Sequence, residues 1–173
     1  MRRPLLVANW KMNKNRDQAR AFAGALLSRL GEGADDSPEV VIAPPFTALD
    51  ALAAALPGDR VALAAQDVSP LAEGAFTGDI SASMLADAGC RYCIVGHSER
   101  RALHGETNQQ VAATASALLS AGLRPIICLG ETQEQRDAGQ TAQVVGQQLA
   151  ESLPPVAPPA ARDLVVALSL IHI

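Results

Sequence analysis

The sequence predicts an α/β fold built on parallel strands, either a (β/α) barrel or an open doubly wound sheet. Three observations carry that expectation. Short apolar, β-branched runs alternate with stretches of helical period along nearly the whole chain. The runs are continuously apolar, as strands covered on both faces must be. The helical stretches repeat one grammar, a polar cap at the start and a glycine at the stop, before the next run begins. With 49% apolar and 18% charged residues in 173, the chain can bury a core and is not disordered.

In chain order, Leu5–Asn9 is the first expected strand. Asn15 then opens a helix with Gln18 three positions on, a capping box led by asparagine, and Gly31 stops it. Its inward stripe is Ala19, Phe22, Ala23, Leu26 and Leu30. Val40–Ala43 is the second strand, and Thr47 and Asp50 open a helix carrying Leu49, Leu52, Ala53 and Leu56. Val61–Ala65 follows, then a helix from Ser81 to Gly89 that packs Met84 and Leu85. Tyr92–Val95 is the fourth strand. Thr107 with Gln110 caps the next helix, with Val111, Ala115 and Leu118 inside and Gly122 as its stop. After Pro125–Leu129, Thr132 with Gln135 opens a last helix expected to reach Leu153. The pairs Pro154-Pro155 and Pro158-Pro159 form a stiff loop before the sixth strand, Leu164–Ala167. Neither a dinucleotide G-x-G-x-x-G nor a P-loop occurs, which favours the barrel over the nucleotide-binding open sheets.

Composition also narrows the partners. A net charge of -4 gives no long-range attraction to nucleic acid or to an anionic membrane. No apolar run approaches the roughly eighteen residues a membrane span needs, and Asn9 interrupts the first one too early for a signal peptide. Cys90, Cys93 and Cys128 are too few for a disulfide framework. Cys90-x-x-Cys93 has redox spacing without a second pair, and buried strand thiols are the favoured reading. A cytoplasmic location is expected.

Chemistry is expected where the strands end, because both architectures place their sites at the carboxyl ends. There stand Asn9-Trp10-Lys11, Gln66-Asp67, Gly96-His97-Ser98-Glu99-Arg100-Arg101 and Gly130-Glu131. Taken singly, each polar residue is equally a solvated loop residue; together they read as one rim. Lys11 can offer a compact positive charge to an anionic ligand or lie along the surface. His97, if a ring nitrogen accepts from amides at a helix start, stays neutral and can donate from the other; otherwise it is a satisfied buried histidine. Glu99 either orients Lys11 or pairs with an arginine. The connection from Gln66 to Asp79 exceeds the usual two to six or so residues. Its tip, Gly74-Ala75-Phe76-Thr77-Gly78, suits insertion into a partner or is a surface loop.

Asn9-Trp10-Lys11-Met12-Asn13, Ala65-Gln66-Asp67, Gly74-Ala75-Phe76-Thr77-Gly78, Val95-Gly96-His97-Ser98-Glu99-Arg100-Arg101 and Cys128-Leu129-Gly130-Glu131 together resemble triosephosphate isomerases, in order and spacing, from about residue 4 to residue 167. The resemblance implies an eight-stranded (β/α) TIM barrel, here cut after its sixth strand. It implies interconversion of dihydroxyacetone phosphate and glyceraldehyde 3-phosphate through an enediolate, in glycolysis and gluconeogenesis, with no cofactor and no metal. His97 would match the neutral electrophile and Lys11 the cation at the developing oxyanion; the pairing of neutral histidine with a glutamate base is a known property of this family. Asn9 would bind substrate beside Lys11, and Glu99 would be the acid next to Lys11. Gly74, Phe76, Thr77 and Gly78 would belong to a loop that docks on a partner subunit, giving a homodimer. Cys128 would be a buried thiol that serves folding.

The sequence departs from that pattern at its end. Leu164-Val165-Val166-Ala167 stays in step, then Leu168-Ser169-Leu170-Ile171-His172-Ile173 does not. Ser169 stands where the family carries its catalytic glutamate, and a neutral hydroxyl has too little proton affinity to replace it. Residues 1–167 are therefore expected to be an incomplete barrel domain and 168–173 a non-matching tail, with adapter-derived sequence as one origin and a genuine diverged end as the other. A barrel of this kind takes about 250 residues. The expectation is an inactive chain with unpaired strand edges and poor solubility; a noncatalytic binding or interaction module on the same fold is the alternative.

Overall fold

The structure, a computed structural model, describes residues 3–30, 37–58, 60–155 and 160–169. Six strands form one sheet: β1 (Leu5–Asn9), β2 (Glu39–Ala43), β3 (Val61–Ala65), β4 (Cys90–Val95), β5 (Arg124–Leu129) and β6 (Val165–Leu168). They lie side by side in sequence order, each parallel to the next. This order decides between the two expected architectures. A doubly wound sheet reverses its strand order at a switch point. An uninterrupted order, with crossovers of one hand, puts every helix on one face and curls the sheet towards a barrel.

Alternating strand residues build two cores. Val41, Ala43, Ala62, Ala64, Tyr92, Ile94 and Ile126 pack on the concave side. Ile42, Val61, Leu63, Cys93, Val95 and Ile127 pack outward against the helices. Both faces are buried, which explains the continuous apolar runs. At the two ends of the sheet this protection stops: Leu6 and Val7 on β1 and Val166 and Leu168 on β6 are exposed. Among the described residues no ladder joins β6 to β1.

The helices are α1 (Arg16–Leu27), α2 (Leu49–Ala53), α3 (Ala82–Asp87), α4 (Ser98–His104), α5 (Asn108–Ser120), α6 (Gln133–Asp137) and α7 (Thr141–Ser152). The capping boxes led by Asn15, Thr107 and Thr132 form as expected. In the box at α5, Thr107 Oγ1 accepts from Gln110 N–H at 3.2 Å and Gln110 Oε1 accepts from Thr107 N–H at 2.8 Å. Thr107→Ala should cost about 1 kcal/mol. A urea titration checks this: the midpoint should fall with the slope unchanged, and an unmoved midpoint would show that the box adds nothing.

Several expectations need correction. Thr47 caps nothing; a 3-10 turn at Phe46–Ala48 leads into α2, whose first residue follows Ala48 with no side-chain cap. In α2 it is Ala51 that faces the core, while Ala53 is exposed. Met84 is also exposed, because it is adjacent to Leu85 on a helix whose buried side is set by Ala82 and Leu85, three residues apart. The helix expected from Thr132 to Leu153 is two. Gly139, at φ +69°, donates to Arg136 C=O, and Gln140 donates to Gln135 C=O, the paired bonds that terminate a helix at a left-handed residue. The same pair closes α5 at Gly122. The expected stop Gly31 and the pair Pro158-Pro159 lie outside the described residues.

Cys90 and Cys93 are free and buried, and Cys128 is free and partly buried. Burial pushes the Cys90 thiol up to about 12 and Cys128 to about 11, and raises Cys93 well above its usual value. These thiols stay protonated and unreactive.

Candidate active site

The polar residues expected to form a rim do lie at the carboxyl ends of the strands. Asn9 ends β1. Its Oδ1 accepts from Lys11 N–H at 2.9 Å, a local turn that throws Lys11 into the left-handed region at φ +52°. Such a conformation in a non-glycine residue costs on the order of 1–3 kcal/mol and persists only where its surroundings enforce it. Gln66, just past β3, does so: Nε2 donates to Lys11 C=O at 3.0 Å and to Ala43 C=O at 2.8 Å. The other lysine, Lys14, is drawn away, with Nζ 5.4 Å from the Trp10 ring centroid and 5.6 Å from that of Phe22.

Lys11 reaches inward across the rim to Glu99, Nζ to Oε1 at 2.6 Å. This settles the alternative for Glu99: it holds Lys11, and its neighbour Arg100 turns instead to Asp67 at 2.8 Å and Glu106 at 2.6 Å. Both partners of the Lys11–Glu99 pair are about half exposed, so the pair fixes geometry more than it adds stability. The ammonium beside it lowers the Glu99 pKa.

His97 follows Gly96 at the end of β4 and is the N-cap of α4. Its Nδ1 accepts from Glu99 N–H at 3.2 Å. A nitrogen that accepts an amide proton cannot carry one, so the ring is neutral with its hydrogen on Nε2. The carboxylate of Glu99 also lies 3.4 Å from Nδ1 and would favour the charged ring. Burial acts against it and dominates, with Lys11 adding to the lowering, and the His97 pKa falls below its ordinary 6.5. The consequence for stability has a definite sign. Between the lowered folded-state pKa and 6.5 the unfolded chain binds more protons, so stability is full above pH 6.5 and falls as pH drops through that window. His97→Gln should flatten this limb in melting temperatures measured from pH 7.5 to 5; an unchanged pH profile would refute the neutral, buried ring.

Asn9, Lys11, Gln66, His97 and Glu99 line one small cavity of about 140 Å³. Beside it a wider groove of about 870 Å³ runs along the concave face, and Asn9, His97, Glu99, Gly130 and Ser169 border it. Ser169 is exposed on this groove, anchored by its N–H to Leu129 C=O at 2.8 Å. Gly130 must be glycine there: a Cβ would lie 2.1 Å from Ser169 O. Glu131 is buried, with Oε1 2.9 Å from Arg136 Nη1. His172 lies outside the described residues.

The loop after β3 is closed at its base by Ser69 Oγ to Asp79 Oδ2 and Ser69 N–H to Ile80 C=O, each 2.8 Å. Its tip stands exposed, with Phe76 folded over Gly74 so closely that a Cβ on Gly74 would meet the ring at 2.8 Å. Thr77 and Gly78 complete that tip, and Gly78 takes φ +97°. Gln66 and Arg101 stand on the rim as the sequence places them, but their roles, the Gln66 amide on Lys11 C=O and the Arg101 guanidinium on Gly96 C=O, come only from the structure. Nothing in their spacing sets them apart from other polar loop residues. Among the described residues there is no group of three candidate metal ligands, and no helix long and apolar enough to cross a membrane.

A sheet wound in sequence order, with polar groups gathered at the strand carboxyl ends, defines a protein of the (β/α)-barrel class, and those groups lie on the rim where that class carries its sites. The family model for triosephosphate isomerase matches residues 4–169, and the chain belongs to that family. A triosephosphate isomerase of Symbiobacterium thermophilum is 48% identical over 167 residues, covering 96% of this chain and 64% of the relative. One from Coxiella burnetii is 50% identical over 151 residues, 86% of this chain and 58% of the relative. The crystal structure of triosephosphate isomerase from Bartonella henselae superposes with a TM-score of 0.81 at 36% identity, over 96% of this chain and 68% of that one. The chain thus spans about three-fifths of the length of the curated relatives it matches.

Proposed function

We propose that the site is that of a triose-phosphate isomerase, interconverting dihydroxyacetone phosphate and glyceraldehyde 3-phosphate, and that residues 1–173 carry its electrophilic half without its base. The observation that carries this is His97, held neutral by an amide on one nitrogen and free to donate from the other, beside the Lys11–Glu99 pair. A carboxylate removes the proton alpha to the carbonyl, and the electron pair moves onto the carbonyl oxygen, giving an enediolate. His97 Nε2–H donates to that oxygen, and Lys11 offsets its developing charge. Asn9 keeps Lys11 turned to the site, and Glu99 fixes its ammonium. A proton shift between neighbouring carbons needs neither an electron sink nor a hydride carrier, so no cofactor enters.

Ser169 has no comparable proton affinity, and we read the 173-residue chain as catalytically silent. The exposed Phe76–Thr77 tip and Met12, the latter 95% exposed beside Lys11, are apolar surface that a second subunit would cover. A homodimer in the complete enzyme and a cytoplasmic, glycolytic and gluconeogenic role belong to the same reading, with the free cysteines in keeping with a reducing compartment. The test is a coupled isomerase assay on two proteins: residues 1–173 alone, and a chimera in which residues 1–167 replace the matching part of the Symbiobacterium thermophilum relative. An inactive but cooperatively folded chimera sinks the proposal.

A further inference from the structure

We propose that Arg101 is a positioning residue that fixes the orientation and tautomer of His97 by clamping the turn before it to the neighbouring βα units. The role rests on the reading of His97 as a hydrogen-bond donor to substrate, and it deepens that reading.

The argument begins with what α4 lacks. None of its residues is buried, and Leu103 is 77% exposed. A seven-residue helix with no apolar anchor cannot be oriented by packing. Yet it supplies the amide that His97 Nδ1 accepts from, so any tilt of α4 moves that donor. Three consecutive side chains tether it. Glu99 and Arg100 reach the loops after β1 and β3 through Lys11 and Asp67, and Arg100 also pairs with Glu106 just beyond the helix. These bonds restrain one side.

Arg101 restrains the other. Its Nη1 donates to Asn108 Oδ1 at 2.6 Å, at the first residue of α5. Its Nη2 donates to Ser152 Oγ at 3.2 Å, at the last residue of α7, and to Cys128 C=O on β5 at 3.4 Å. Ser152 is fully buried, and Asn108 is held in turn by Glu151 at 2.8 Å, so the fork grips fixed points. On its own side, Arg101 N–H donates to His97 C=O at 3.0 Å and Nε donates to Gly96 C=O at 2.8 Å. Two successive carbonyls, one on each side of the His97 Cα, are thus held by a single residue.

The guanidinium also fills the space beneath the turn. Gly96 sits at φ +66°, and a Cβ there would meet Arg101 Nη2 and Val111 Cγ2, each at 2.8 Å. Lysine keeps the charge but has one donor centre, and it cannot span β5, α5 and α7 from one planar fork. The charges that act on His97 are Glu99, Lys11 and Glu106. Arg101→Lys preserves these and its own charge, so a change in His97 titration would come from geometry.

The experiment is NMR of the full chain with isotopically labelled histidine, His97 being assigned by its loss in His97→Gln. The parent should show the Nε2–H tautomer and a midpoint below 6.5. In Arg101→Lys the tautomers should mix and the midpoint should rise towards 6.5. Asn108→Ala, which cuts one arm of the fork and leaves Nε on Gly96, should shift it the same way by less. Leu118→Ala in the core face of α5 should lower the melting temperature without moving the titration. Unchanged tautomer and midpoint in Arg101→Lys overturn the proposal. If Arg101→Lys does not fold, an unshifted Asn108→Ala overturns it. An equal shift in Leu118→Ala would make the effect one of general stability and overturn it too. No substrate is involved, so failure here is distinct from an inactive chimera.

Discussion

His97→Gln in the chimera should lower kcat by about 10²–10⁴-fold, the range that a positioned proton-transfer group contributes, with KM little changed. Glutamine can still offer an N–H towards the substrate carbonyl, so ground-state contacts survive. It cannot release and recover a proton as charge moves between the two oxygens, so the loss falls on the transition state. Lys11→Met should behave differently and raise KM as well, because a cation attracts an anionic substrate before any reaction. Steady-state kinetics with both triose phosphates separate the two. A His97→Gln chimera with unaltered kcat would remove His97 from the mechanism, and the proposed reaction with it.

Purified residues 1–173 should turn over at no more than about a few parts per million of a complete relative, the scale on which groups acting as a unit fail together. On the proposed reading the deficit starts at Ser169. A serine hydroxyl gains a proton only at extreme acidity, so the first step has no acceptor at neutral pH. The groove it borders is open along the concave face, so water would compete for every hydrogen bond that Lys11 and His97 offer. The assay must be run on protein purified from a host lacking its own isomerase, since trace contamination mimics a slow enzyme. Turnover clearly above that level, lost on His97→Gln, would mean that another group on this chain serves as base.

Much of this molecule was legible in the chain because the relevant physics is local. The strand cores of β1 and β3 fall where continuous apolar runs place them, and three capping boxes form at their sequence signatures. Caps are satisfied within three residues, so neighbours determine them. The failures came where a choice between local options depended on distant contacts. Thr47 and Asp50 look like a helix start as much as Thr107 and Gln110 do, yet the chain after β2 turns first through a 3-10 segment that buries Ala48. Gly139 breaks what periodicity would continue, because its left-handed bonds let α7 start afresh against α5 and β5.

The sequence by itself determined that this is a parallel α/β chain with polar residues concentrated at its strand ends, and its resemblance implied that Ser169 stands where the family has glutamate. It also marked His97 as able to stay neutral, since a histidine just ahead of a helix start has amides within reach. Only the tertiary structure decided that the strands run in uninterrupted order, which makes the sheet a curled barrel wall. It alone decided that Glu99 takes Lys11 while Arg100 and Arg101 go elsewhere. These partners are separated by as many as 88 positions along the chain. Which charges meet across such distances is set by how β1, β3, β4 and β5 stack side by side, and no local pattern encodes that.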